Sequence, residues 1–338
     1  MPSYASNTPR WLNRSGAHIE SFFLKANDPD SARAVWLKVT CLQKHLRKDR
    51  PTERWLDLWC CIFDKANQVF TGARQRFALQ SLDIKDGVLR IQNESTALHF
   101  GADSGHFKAM ITDEDHRIDV NLSWRADSSS LGEGYTMFPF SWMLQGPIPK
   151  QKTVTPIGLC HVNGTIISSN ETYQVTQWVG CQGHNWGRAH TPDYVWLHTV
   201  LFDETGIAGT CEAFSGSVQI GSKQVGPFSG LVLRLRDETY RFDRLVDTWN
   251  QSVHVETGAY QLKLTKGRTQ LILNAKAASD SVVCLGYEDP DSTMHYCMNS
   301  KLADVSIEIS EDGVIRTFSS TEVGALEWLS KHPKAKVI

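Results

Sequence analysis

Apolar and polar residues alternate with a period of two along most of the chain. Ile118, Val120, Leu122 and Trp124 are separated by Asp119, Asn121 and Ser123. Leu231, Leu233 and Leu235 flank Val232 and Arg234, and Tyr240-Arg241-Phe242 follows. Tyr260, Leu262 and Leu264 lead through Lys266-Gly267 to Leu271 and Leu273. Val305, Ile307 and Ile309 lead through Asp312-Gly313 to Val314, Arg316 and Phe318. A two-residue period puts one face of a strand inward, and Asp-Gly or Lys-Gly between such runs supplies the positive φ of a tight hairpin. The pattern predicts an all-β protein of successive hairpins, an up-and-down sheet or barrel. One stretch reads as a helix. Ser319 and Glu322 have capping-box spacing, and Ala325, Leu326, Trp328 and Leu329 follow before His332-Pro333, predicting a short C-terminal helix outside the last sheet.

Gln145-Gly146-Pro147-Ile148-Pro149-Lys150 interrupts the ladder with two prolines and predicts an extended crossing. It divides the 338 residues into 1–149 and 150–338, each within the usual size of roughly 100–200 residues for a domain. The decads Trp55–Asp64 and Tyr194–Asp203 are alike, each closing on an aromatic followed by Asp. With the central crossing, this favours two related β domains.

Composition narrows the function more than the fold. A net charge of −2 with scattered lysine and arginine gives no basic face for nucleic acid; the run Lys44-His45-Leu46-Arg47-Lys48 reads as a solvated loop. The eight cysteines include no C-x-x-C pair, which excludes a zinc ribbon or disulfide framework and predicts buried free thiols, as in a cytoplasmic protein. Met1-Pro2-Ser3-Tyr4 carries no signal-peptide pattern, and no apolar run reaches the roughly 18 residues of a membrane span. Eleven tryptophans suit both strands and the walls of an apolar cavity.

Gly-x-Gly-x-x-Gly, the phosphate-binding loop, Gly-x-Ser-x-Gly and His-Glu-x-x-His are all missing, so familiar nucleotide, hydrolase and zinc chemistries lack their signatures. His184, His190 and His198 are close in sequence, but on a strand His198 shares a face with Tyr194 and Trp196, and polar cavity histidines are the better reading. No metal and no cofactor are expected.

The chain's most unusual run is Trp178-Val179-Gly180-Cys181-Gln182-Gly183-His184-Asn185-Trp186-Gly187-Arg188. Glycines bracketing His-Asn-Trp predict a bulge or bend that gathers these side chains, either as a structural corner or as the corner of a site. Gly-His-Asn-Trp-Gly, followed by Tyr194-x-Trp196, Phe202-Asp203 and Glu212, resembles the AttH-like and carotenoid 1,2-hydratase family. Val162-Asn163-Gly164-Thr165 and Glu20-Ser21-Phe22-Phe23-Leu24-Lys25-Ala26-Asn27 resemble that family's landmarks as well.

The resemblance implies two tandem lipocalin-like β-barrel domains and an apolar, isoprenoid- or lipid-like ligand in a pocket between or within them. Relatives hydrate a carotenoid double bond, catalyse cyclisations or carry lipids. As a carrier, the pocket has Trp36, Trp142, Trp178, Trp186 and Trp196 as walls and His184 and Arg188 orienting a polar head; Glu20, Asn185 and His198 complete the expected contacts. Core packing accounts for these tryptophans equally well. As a hydratase or cyclase, Glu212 is the proton donor, its carboxyl kept neutral by burial. Trp186 stabilises a carbocation, His184 and Asn185 hold the acid or the water, and Tyr194 joins the relay. The hydratases have a Tyr two residues before their acid; here that position is Thr210.

Overall fold

The computed structural model describes residues 7–10, 16–44, 52–79, 83–85, 88–92, 96–114, 116–146, 149–169, 171–220, 222–330, 332 and 337–338. Met1–Tyr4, His45–Lys48 of the basic run, Pro147-Ile148 of the crossing and Pro333 lie outside the described residues. The strands are β1 (His18–Asn27), β2 (Arg33–Lys44), β3 (Glu53–Asp64), β4 (Val69–Ala78), β5 (Asp83–Lys85), β6 (Val88–Gln92), β7 (Ala97–Phe100), β8 (Ser104–Thr112), β9 (Arg117–Ala126), β10 (Gln151–Ser168) and β11 (Glu171–Gly187). Then follow β12 (Tyr194–Asp203), β13 (Gly206–Ile220), β14 (Lys223–Leu235), β15 (Thr239–Phe242), β16 (Gln251–Glu256), β17 (Ala259–Lys266), β18 (Thr269–Lys276), β19 (Val283–Glu288), β20 (Met294–Glu311) and β21 (Val314–Ser330). Only short 3₁₀ turns accompany them among the described residues.

Alternation becomes strand at each place it is read. On β9, Ile118, Val120, Leu122 and Trp124 are buried while their neighbours are more exposed. Asp312 and Gly313 both take positive φ at the turn between β20 and β21, as does Gly267 between β17 and β18.

The strands form two antiparallel sheets. The first runs β4-β3-β2-β1-β11-β10-β9-β8-β7-β6-β5; the second runs β15-β14-β13-β12-β21-β20-β18-β17-β16, with β19 paired to β20. Both follow one path: a four-strand meander ends on a strand paired to the last strand of its set. Thus β12 stands where β1 stands, and β21 where β11 stands. Each sheet curls over its own core. Phe22, Leu37, Phe107, Leu122 and Trp178 belong to the first, and Leu197, Leu233, Leu264 and Ile307 to the second. The outer face of β1–β4 packs on the second sheet through Trp36, Trp59 and Phe63 against Leu285, Tyr287 and Leu302.

Three expectations change. The predicted C-terminal helix is strand β21, because Val323–Trp328 is buried on both faces between β12 and β20. A doubly buried strand is a continuous apolar run that periodicity cannot separate from a buried helix. Glu322, read as a capping residue, sits at an irregularity in the β20–β21 register with positive φ, and its N–H donates to Asp304. The chain passes between sheets at 188–193 rather than at 149/150, so β10, β11 and the His-Asn-Trp run belong to the first sheet. The matching decads lie on β3 and β12, which are not equivalent places; their likeness is that of two buried strands.

Candidate functional site

Strand β11 runs through Gly-His-Asn-Trp-Gly without a bend, paired in unbroken register with β1 from Ile19↔Gly187 to Asn27↔Val179. The irregularity beside the run lies on its other side, where Val154↔His184 and Ile157↔Gln182 leave an extra residue on β10 rather than on β11,; the glycines of β11 serve close packing. A Cβ on Gly183 would lie 2.0 Å from the Phe23 ring, and one on Gly180 would lie 1.7 Å from the Lys25 carbonyl oxygen. Alternation therefore separates the motif. His184 and Trp186 share the face of their partners Phe22 and Glu20, whereas Asn185 points to the opposite face. The two landmark stretches, Glu20–Asn27 and His184–Trp186, are neighbours in the sheet.

On the inner face lies a buried carboxylate cluster. Glu20 Oε1 is 2.8 Å from His184 Nε2 and accepts the Arg10 backbone N–H at 2.7 Å; its Oε2 is 3.2 Å from His18 Nε2. Burial alone would raise the Glu20 pKa, but these bonds outweigh it and hold the pKa at about 2,. His184 stacks on Phe22 with ring centroids 4.2 Å apart, and Trp186 leans against it at 4.8 Å. The Arg10 guanidinium lies 5.2 Å over the Trp186 ring.

Glu212 lies in a different place, on the outer face of β13 where the sheets meet. It accepts the Trp196 indole N–H at 2.7 Å and the Thr155 hydroxyl at 2.6 Å. Burial raises its pKa against these bonds. The Tyr135 hydroxyl faces the same carboxyl without meeting it in hydrogen-bonding geometry. His198, the cross-strand partner of Glu212, sets Nε2 3.2 Å from the Gly158 carbonyl, and burial followed by the Lys25 charge drives its pKa well down. His198 Nδ1 and Thr210 Oγ1 are buried with no partner among the described residues.

The remaining candidates are dispersed. Tyr194 donates to Cys297 Sγ at 3.4 Å. Asn185 is half-buried, and its Oδ1 has no partner among the described residues. Trp36 and Trp178 are core residues. Arg188 is exposed, and Trp142 is 58% exposed and stacks on Phe140. His184 meets Glu20 on the inner face of the first sheet, whereas Glu212 lies on β13 of the second, so the expected partnership of His184 with the acid gives way to Glu20.

Sequence reasoning missed the polar seam between the sheets. Lys25 Nζ donates to the Val323 carbonyl at 2.9 Å, and Lys301 Nζ to Glu327 at 2.7 Å. Lys38 stands 3.6 Å over the Tyr287 ring. Burial pulls the pKa values of Lys25 and Lys38 down to about 8. Lysines on a strand ordinarily read as solvent-facing, so only the packing of the second sheet reveals them. Also missed was a cleft of about 340 Å³ at the edge where β4, the β8–β9 turn, the start of β19 and residues 337–338 meet. Phe70, Val282, Val283, Val337 and Ile338 form its apolar wall, and Arg74, Asp113, Glu114 and His116 its polar side. None of the sequence candidates lines it.

No known family profile matches the chain. It is 21% identical over 201 residues to an uncharacterised protein of Mycobacterium tuberculosis, a match spanning 60% of this chain and 58% of that relative. Two solved structures share the fold. One, described as an AttH protein of Nitrosomonas europaea, superposes with a TM-score of 0.53 at 12% identity, covering 97% of this chain and 98% of that one. The other, kievitone hydratase of Nectria haematococca, gives 0.52 at 8% identity, covering 94% and 89%. The chain therefore has the lipocalin-like fold of these proteins.

Proposed function

We propose that the chain binds an apolar, isoprenoid- or lipid-like molecule in the cleft where the edges of the two sheets meet. The cleft itself carries the reading. Its 340 Å³ falls within the roughly 300–1,000 Å³ usual for small-molecule sites, and an apolar wall opposite a polar side suits a molecule with a long apolar body and one polar end. Arg74 anchors that polar side. Its guanidinium is held by Asp57 and the Gly286 carbonyl, and its Nε has no partner among the described residues. Titration with a fluorescent fatty acid tests this. Val282→Trp, which fills the cleft from a half-buried position, is expected to abolish binding. Undiminished binding by that variant sinks the proposal.

A second reading rests on Glu212. A buried carboxyl whose pKa burial raises, set between an indole N–H and a threonine hydroxyl, suits a proton donor, and one fold neighbour is a hydratase. An alkene against it takes the proton, water adds to the cation, and the carboxylate recovers a proton from that water. The π faces are poorly placed for this chemistry, since Arg10 covers Trp186 and Lys301 lies 5.6 Å from the Trp196 ring. On this reading Glu212→Gln abolishes conversion of an isoprenoid alkene while leaving fatty-acid binding in the cleft intact; conversion that survives the substitution rules it out.

A further inference from the structure

His190 does not meet His184 or His198; it meets two residues about a hundred positions further on. Its Nδ1 is 2.6 Å from Asp289 Oδ1, and His295 Nε2 is 2.9 Å from Asp289 Oδ2. One ligand atom from each of the three lies within 4.8 Å of the others. Two imidazole nitrogens and a carboxylate oxygen converging from separate segments are the donor set of three-residue zinc sites, in which a fourth position is left to water. We propose that His190, Asp289 and His295 bind a divalent transition-metal ion, Zn²⁺ foremost.

The distances suit an ion with little movement. Ligands held about 2.0–2.2 Å from tetrahedral zinc stand roughly 3.3 Å apart. Each histidine nitrogen must therefore withdraw from the carboxylate by less than about 1 Å, and donors that stand up to 4.8 Å apart must close by up to about 1.5 Å, within the swing of two side chains,. The surroundings already orient the ligands. The His190 backbone N–H donates to Asp289 Oδ1 at 2.8 Å, and the His190 ring stacks on Tyr287 with centroids 5.3 Å apart. Such supporting contacts set ring orientation in metal sites. His190 and Asp289 are almost fully covered, whereas the His295 side chain is one-fifth exposed, giving the ion and its water a route in. A cavity of about 10 Å³ also touches His190, Tyr287 and Lys38, room for about one water molecule. Asp291 adds negative charge near His295.

The position gives the ion a structural consequence. His190 lies in the segment that carries the chain from β11 to β12, and Asp289 and His295 flank the turn between β19 and β20. Bound metal therefore pins the crossing between sheets to the second sheet. The same three side chains, hydrogen-bonded and metal-free, would make a weaker clamp at the same place, and the experiment must separate the two.

Full-length protein, stripped with a chelator, is titrated with Co²⁺ by visible absorption and with Zn²⁺ by calorimetry. The proposal expects one ion per chain, tetrahedral ligand-field bands for Co²⁺, and affinity weakened roughly 100-fold or more by Asp289→Asn and by His295→Gln, since even supporting residues cost 10–100-fold. His295→Gln changes a partly exposed side chain and keeps the test usable should Asp289→Asn not fold. Folded wild-type protein that takes up no Co²⁺ overturns the proposal and leaves the hydrogen-bonded clamp. One equivalent bound equally well by wild type and both variants overturns it too.

Discussion

Glu20 and Glu212 are both removed from water, yet their partners drive them in opposite directions. Glu20 faces two histidines and a backbone N–H that favour the carboxylate; Glu212 faces an indole, a hydroxyl and a phenol, too little to repay the loss of solvent,. The consequences for stability have opposite signs. With its pKa held at about 2 in the fold against an ordinary 4.5, Glu20 stabilises the protein above about pH 4.5. That contribution drains away as the pH falls toward 2. The difference corresponds to about 3 kcal/mol. Glu20→Gln should therefore lose about that much at neutral pH and flatten the acid limb in urea unfolding measured across pH; a parallel acid limb in the variant contradicts this. Glu212, whose pKa is raised, contributes at low pH and loses that contribution as the pH rises through its folded value. These partners could not be read from the sequence, because His18 is the only one close to Glu20 along the strand. Glu212 is legible in the sequence only through the resemblance; the groups around its carboxyl come from β10, β12 and the segment before β10.

At the scale of strands, the β1–β11 pairing joins Glu20–Asn27 to the His-Asn-Trp run, and it depends on glycine where the strands approach closely. Gly180 faces a backbone carbonyl, which cannot swing aside, whereas Gly183 faces the Phe23 ring, which can. Gly180→Ala should thus destabilise by about 3 kcal/mol or more and Gly183→Ala by about 1–2 kcal/mol, the range of overpacking; the reverse order in chemical denaturation contradicts the packing described. Strands with one wet face were legible: β9, β17, β18 and the β20–β21 turn stand where alternation and Asp-Gly or Lys-Gly placed them. Strands with two dry faces were not. The second half of β21 reads as helix because sheet packing hides both its faces, and the polar outer residues of β1 and β2 read as solvated because their cover comes from the other half of the chain. The glycines of the His-Asn-Trp run were legible as special, but close approach rather than bending is the reason.

In the whole molecule, two sheets of like topology meet along a seam that carries lysines as well as tryptophans. Lys25, Lys38 and Lys301 are buried there among Glu327, Trp36, Trp196 and Tyr287. Ion pairs and cation–π contacts cover charges that an apolar ligand would leave stranded. The seam's centre is therefore poorly suited to an apolar guest, and among the described residues a cleft opens at its edge beside Val282. Two sheet edges approach each other there, around a volume that fits a small amphipathic molecule,. The decisive measurement is native mass spectrometry of the purified chain, paired with organic extraction, on the wild type and Val282→Trp. The account predicts one apolar molecule per wild-type chain and none in the variant. Equal occupancy of both forms, or a wild-type chain that carries nothing and takes up no fatty acid, would contradict it.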